Sequence, residues 1–247
     1  MPSDHFSVVA ERYAAYRPTY PPALLDLLVE HSPQLGTAWD VGCGAGQLSV
    51  ALGDRFERVI ATDISQALLA AAVAHPHVEY RLAPAEASGL ADASIDLVVA
   101  AQAAHWFDWP AFTAELARVA APGALAALVS YGNLEIDGDV GREVDRYHHD
   151  IVGAYWPPGR EHVENGYRDL VLPWPAIAAP AIAMTARWSR DELVGYLASW
   201  SATARFIARN GSGEFDAISE RLRVAWPGDD RREVRWPLTI KLSARAR

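Results

Sequence analysis

Asp40-Val41-Gly42-Cys43-Gly44-Ala45-Gly46 places three glycines at every second position directly behind an aspartate. Glycine permits positive φ and lets a ligand approach the backbone with no Cβ in the way. A pyrophosphate fingerprint needs G-x-G-x-x-G/A, and counted from Gly42 its third position falls on Gln47. An acid at this place is a poor neighbour for a pyrophosphate and a good one for a cation. The spacing therefore disfavours NAD and suits a ligand with an amino acid part. No Gly-Lys-Ser/Thr follows, so a P-loop is excluded. Asp63 ends the next apolar run, "VIATD", about 20 residues beyond the first glycine, where an acid accepts hydrogen bonds from ribose hydroxyls. Ser65 is on hand to cap the helix that follows.

His105, in "AAHWFDW", is a residue type that takes protons near neutral pH. Its neighbours Trp106, Phe107 and Trp109 could wall a flat or apolar acceptor, with one or two of them expected in the core. Asp108 is placed to cap a helix opening at Trp109 and Pro110. Tyr155 and Trp156, in the rigid turn "YWPPGREH", are candidates for contact with the acceptor. Arg160 and Arg205 have the charge an acidic ligand would need, but single arginines carry little signal. His148 and His149 point to different faces of a helix and have no further ligand at metal spacing, so they read as a solvated helix and no metal site is expected. Cys43 is the only cysteine, which rules out an internal disulfide, and it reads as a small buried residue and not a nucleophile.

These residues need a scaffold that aligns strand ends. "PPALLDLLVEHS" reads as a helix, "GTAWDVGC" as a buried strand, and "GQLSVALGDRF" as a helix. "RVIATDIS" (strand), "QALLAAAVAHP" (helix), "HVEYRLAP" (strand), "SIDLVVAAQA" (strand), "WPAFTAELARVA" (helix) and "GALAALVSYG" (strand) follow. Strands joined by single helices imply βαβ crossovers and a parallel sheet covered on both faces. Beyond Gly132 the pattern loosens. "AIAMTARW" reads as a strand, "RDELVGYLASWSATARFIARNG" and "GEFDAISERLRVAW" as helices, and "REVRWPLTIKLSAR" as a strand whose Pro237 favours an edge or bulge. Six of the nine tryptophans lie after residue 150, which points to a cap of helices built into the later crossovers. The expected fold class is α/β and doubly wound, with a mostly parallel sheet of seven strands.

The 247 residues are 51% hydrophobic and 21% charged, ordinary for a globular protein. The net charge of −9, with Lys241 standing alone and the arginines scattered, argues against a nucleic-acid partner. The opening "MPSDHFSVVAERYAAYRPTY" lacks the basic and apolar regions of a signal peptide, and no run reaches the ~20 apolar residues of a membrane span. A cytoplasmic monomer or homodimer with a small-molecule substrate and no membrane partner is the expectation.

Taken together, "WDVGCGAGQLS", "VIATDIS", "RLAPAEASGL", "SIDLVVAAQAAHWFD" and "ELARVAAPGALAAL" resemble class I S-adenosylmethionine-dependent methyltransferases, in order and spacing. The stretches "FSVVAERYAAYRPTYP", "AAHWFDW" and "YWPP" are similar to the trans-aconitate methyltransferase-like group. The resemblance implies a Rossmann-like fold whose seven-stranded sheet ends in an antiparallel C-terminal strand, and one methyltransferase domain over 1–247, with lid helices at 1–36 and a cofactor core at 37–132. Cap helices with a returning strand would occupy 133–230, and the last strand 231–247. It implies S-adenosyl-L-methionine as cofactor, its methionine part against Gly42, Gly44, Gly46 and Gln47, with Asp40 ordering the loop and the amino group. Asp63 would hold the ribose and Ile64 the adenine. Ala85, Glu86, Gln102 and Arg17 complete the implied cofactor set, and Tyr16 joins Trp106, Tyr155 and Trp156 around the substrate. The family's usual acid two residues before Glu86 is here Pro84, which removes a side-chain contact to the adenine amino group. The implied reaction is methyl transfer to a small molecule by in-line displacement, with His105 as a base or only an orienting group. Cyclisation or alkyl transfer on the same fold, and a non-catalytic cofactor-binding partner, stay open as alternatives.

Overall fold

The computed structural model describes residues 19–247, so Tyr16, Arg17 and the first half of the expected lid lie outside the described residues. The chain divides into two compact units. One, the sheet unit, comprises residues 19–132, 161–183 and 237–247, and the other comprises residues 133–160 and 184–236 of the described chain.

The sheet unit opens with α1 (Pro22–His31), whose proline sits in the first turn, where no amide hydrogen is needed. Its Leu24, Leu25, Leu27 and Leu28 are buried. The alternation then runs β1 (Thr37–Val41), α2 (Gln47–Gly53), β2 (Arg58–Asp63), α3 (Gln66–Ala70), β3 (Val78–Leu82), β4 (Ile95–Ala101), α4 (Trp109–Val119) and β5 (Ala120–Tyr131). Later elements are α5 (Asp139–Arg146), α6 (Arg160–Glu164), β6 (Ala176–Ile177), β7 (Ala183–Trp188), α7 (Arg190–Ala198), α8 (Ser201–Asn210), α9 (Gly213–Ala225) and β8 (Arg232–Ala244).

The sheet order is β3-β2-β1-β4-β5-β8-β6, with β7 pairing β8. The first five strands are parallel, and β8 runs antiparallel against β5. The chain moves outward from β1 to β3 and then returns to β4 on the other side of β1. This reversal opens a crevice at the carboxyl ends of β1 and β4, the usual ligand position in such sheets. Trp39 and Val41 pack into one apolar cluster and Ala38 into another, so β1 is buried on both faces. Trp39 donates its indole N–H to Thr62 Oγ1 at 2.9 Å, so the largest side chain of the strand leaves no buried donor unpaired.

Three expectations are corrected. The sheet has eight strands and not seven, because the two-residue β6 adds to β8. α3 stops at Ala70, well short of Pro76; none of its residues is buried, so no apolar face extends it. The long helix expected over "RDELVGYLASWSATARFIARNG" is two, broken where buried Trp200 adopts extended backbone and Ser199 Oγ bonds Tyr196 O at 2.6 Å. In that second unit Trp188, Tyr196, Trp200 and Trp236 pack ring to ring, and Trp236 donates to the Tyr196 hydroxyl at 3.1 Å. The tryptophan-rich half of the sequence thus builds a core of its own.

α4 also organises the loop beyond β3. Asp108 caps it, as expected, accepting from Ala111 N at 3.2 Å. Its buried Glu115 accepts from Ser88 N at 2.9 Å, from Ser88 Oγ, and from both Nε and Nη2 of Arg118. Removing one partner of such a network strands the others. Glu115→Ala is expected to cost about 2–3 kcal/mol, lowering the melting temperature by roughly 4–10 °C, as read by circular dichroism.

Candidate functional site

β1 ends at Val41, and Gly42, Gly44 and Gly46 then take φ of +68°, +58° and +81°. All three occupy the left-handed region, but for different neighbours. A Cβ on Gly42 would come within 2.5 Å of Ala103 Cβ, and one on Gly46 within 2.1 Å of the Tyr80 hydroxyl. Among the described residues, a Cβ on Gly44 would meet no atom within 4 Å. Gly42 and Gly46 therefore serve packing, while Gly44 turns its backbone toward space that no described residue fills, as close ligand approach requires. The turn is pinned from β2: Thr62 O accepts from Gly42 N at 2.8 Å and from Cys43 N at 2.9 Å. Asp63 Oδ2 accepts from Gly44 N, and its Oδ1 from Ser65 N, both at 2.8 Å. The helix cap is Ser65, which accepts from Leu68 N at 3.3 Å. Asp63 is thereby kept at the turn and does not serve as the cap.

Asp40 is 1% exposed and accepts from Ser49 Oγ at 2.6 Å. Burial pushes its carboxyl up from 3.8 to about 7; the Ser49 bond opposes this and the nearby Asp63 adds to it. Burial, Asp40 and Asp63 drive the Cys43 thiol far above its usual range, so it stays protonated and is no nucleophile. A desolvated acid beside a second acid suits a cation such as an ammonium group. At the ends of β2 and β3, Ile64 and Leu82 are 76% and 58% exposed, an apolar surface of the kind an aromatic base covers.

The neighbouring strand ends complete the site. Ala85 is buried, and Glu86 Oε1 accepts from Asp108 N at 2.8 Å, so this acid ties the loop after β3 to the start of α4. Gln102 stands in left-handed backbone, φ +55°, with its amide donating to Tyr131 O at 2.8 Å. Such a conformation is costly for a side-chain-bearing residue and gathers at ligand sites. His105 lies in a single 3-10 turn, Ala104–Trp106, with Nδ1 at 2.9 Å from the Tyr167 hydroxyl. Trp106 is 60% exposed. Phe107 and Trp109 instead pack on Phe112, at 4.9 and 5.5 Å between ring centres.

The remaining candidates belong to the other unit. The Tyr155 hydroxyl accepts from Asn210 Nδ2 at 2.7 Å, and its ring packs on Phe206. Trp156 packs on His148 and Trp200, with the Arg160 guanidinium 4.4 Å from its ring centre. Arg205 is exposed on α8. The solvated reading of "HH" fails for His148, which is 2% exposed in a π-helical turn, Tyr147–Ile151, and is pushed down to about 3 by burial. His149 alone faces solvent. No cluster of metal-ligating side chains occurs among the described residues.

Residues 39–128 match the family model for a methyltransferase domain. A methyltransferase-family protein of Dictyostelium discoideum is 31% identical over 248 residues, covering 97% of this chain and 94% of that protein. The chain belongs to the class I S-adenosylmethionine-dependent methyltransferases. The structure of a type II methyltransferase-family protein from Anaeromyxobacter dehalogenans is 44% identical, covers 94% of this chain and all of that one, and superposes with a TM-score of 0.89. A methyltransferase-family structure from Bacillus halodurans shares the fold at 15% identity, with a TM-score of 0.56 over 92% of this chain.

The methyltransferase's cofactor is S-adenosylmethionine, and its residues fit that group. No described residue fills the space before Gly44, two acids suit an ammonium and a ribose, and Ile64 is exposed at the end of β2. Tyr167 was missed from sequence because it lies 62 residues from His105, in a segment without periodicity.

Asp40 supplies a test that needs no substrate. Its raised value means the folded protein binds one more proton than the unfolded chain between about pH 4 and pH 7. Stability without cofactor therefore falls as pH rises through that window. Asp40→Asn is expected to flatten this slope and make the cofactor-free protein more stable than the native one at pH 8, measured by urea denaturation at pH 5 and pH 8.

Proposed function

We propose that this methyltransferase acts on a small-molecule acceptor with an ionisable O–H or N–H, and that His105 takes the proton. The observation carrying the reading is the placement of His105 just beyond β4, at the crevice, held through Nδ1 and flanked by exposed Trp106. When bound, S-adenosylmethionine supplies a methyl group on a sulfonium, taken in line by an acceptor lone pair while sulfur keeps the electrons of the broken bond. Asp40, Gly42, Gly44, Gly46 and Gln47 hold the amino acid end, and Asp63, Ile64 and Ala85 the nucleoside. Glu86 acts through the loop it ties to Asp108, and Gln102 shapes the floor at the end of β4. Trp106 offers an aromatic face to the acceptor and to positive charge. His105 removes the acceptor's proton as the new bond forms, while alignment supplies much of the barrier lowering. The net charge of −9 favours a small acceptor over a nucleic acid.

The test is an acceptor panel of phenols, ring N–H compounds, amines and carboxylic acids, with product identified by mass spectrometry. S-adenosylhomocysteine and a methylated acceptor are expected. His105→Gln should lower kcat about 10²–10⁴-fold on O–H and N–H acceptors while leaving cofactor affinity by calorimetry unchanged. Methylthioadenosine as product would replace methyl transfer with cyclisation or alkyl transfer. Full turnover by His105→Gln would remove the proton role.

A further inference from the structure

Polar side chains from four elements and the turn itself meet behind the glycines. Asp40 comes from β1, Ser49 from α2, Asp63 from β2 and Tyr80 from β3, and Cys43 belongs to the turn. Asp63, Cys43 and Tyr80 interact electrostatically with Asp40, and among the described residues no cation does. Burial drives the Cys43 thiol far up, and the Tyr80 hydroxyl is pushed up to about 12 by burial, by Cys43 and by Asp40. Both keep their protons in neutral solution, which leaves the two acids as the groups able to change charge. These acids are supported unequally. Each oxygen of Asp63 has its own backbone donor, Gly44 N at one and Ser65 N at the other, both at 2.8 Å. Asp40 is buried more deeply and has a single donor among the described residues, the Ser49 hydroxyl at 2.6 Å. Neighbouring acids without a counter-charge resist ionising together. The proton falls to the less supported of the two.

We propose that Asp40 holds a proton in the cofactor-free protein and releases it to solvent when the ammonium group of the cofactor binds. The carboxyl O–H bond breaks, its electrons stay on Asp40, and a buffer base takes the proton. The ammonium then supplies the counter-charge that the described neighbours do not, and the ionised form becomes the favoured one. This exchange rests on the placing of the cofactor's amino acid end at the glycine turn given above. It uses neither His105 nor an acceptor. The consequence is a methyltransferase whose cofactor occupancy falls in mild acid, through a group at the donor end of the site. Acid favours the proton on Asp40, and the proton competes with the cofactor.

The experiment is calorimetric titration of the full chain with S-adenosylhomocysteine, whose amino group stays an ammonium up to pH 7.5. At pH 6.5 the heats in PIPES and in Bis-Tris, buffers of different ionisation enthalpy, are compared to count the protons released. With Asp40 at about 7, about 0.7 proton per site is expected to leave. The dissociation constant should tighten about 20-fold from pH 5.5 to pH 7.5. Asp40→Asn should bind with neither the release nor the pH dependence. Ser49→Ala removes the donor that favours the charged form and should increase the release at pH 7.5. Where Asp40→Asn does not fold or bind, Ser49→Ala decides, and a release unchanged in it overturns the proposal. Native binding without release, or release that persists in Asp40→Asn, also overturns it. No binding at any pH would overturn it together with the placing of the amino acid end. Full turnover by His105→Gln would reject the proton role of that histidine and leave the exchange at Asp40 intact.

Discussion

The parallel register of β1 on β2 places Thr62 opposite Val41, and much of the site hangs on what that residue then holds. Its hydroxyl takes the indole N–H of Trp39, and its carbonyl takes two successive amides of the glycine turn, Gly42 and Cys43. The next residue, Asp63, takes the third bonded amide, that of Gly44. Two residues of β2 therefore fix both the core under the turn and the turn itself. A slip of one residue would send every side chain of the strand to the opposite face. Trp39 would lose its acceptor and the carboxylate its place at the turn. The buried faces of β1, packed into two separate apolar clusters, are what prevent that slip.

Within this frame the charges are arranged against the comfort of the empty protein. Asp40 is buried with Ser49 as its hydrogen-bond donor, and Asp63 adds like charge nearby. Such a pair is a liability in the absence of a cation and an asset in its presence. Binding sites characteristically depart from the stability optimum in this way. Gln102 and Tyr167, both with side chains and both at positive φ, extend the same pattern into backbone strain. Three of the costs thus fall at the carboxyl ends of the strands or next to His105.

The parts legible in the sequence are those governed by local rules. The glycine spacing, the acid after "VIAT", the caps at Ser65 and Asp108 and the strand–helix alternation each depend on residues a few positions apart, and each stands in the structure as expected. What was not legible depends on chain distant in sequence. Tyr167 meets His105 across 62 positions and Lys241 meets Tyr167 across 74. The break at Trp200 follows from a buried tryptophan cluster, although the helical periodicity there is unbroken. His148 is buried against aromatic rings supplied by Trp156 and Trp200, which no spacing around "HH" announces. Glu86 could be picked out as an acid near the site, but its bond to the backbone of Asp108 could not.

The solitary lysine has a consequence for the chemistry of the surface. With 21 arginines and one half-buried lysine, side-chain positive charge outside Lys241 is carried by guanidinium groups, which acylating reagents and simple aldehydes largely leave alone. The one side-chain amine is engaged by two carbonyls of the turn at 167–170. Its reactivity toward such reagents thus tracks the opening of that turn, giving the chain a built-in reporter of its own local unfolding.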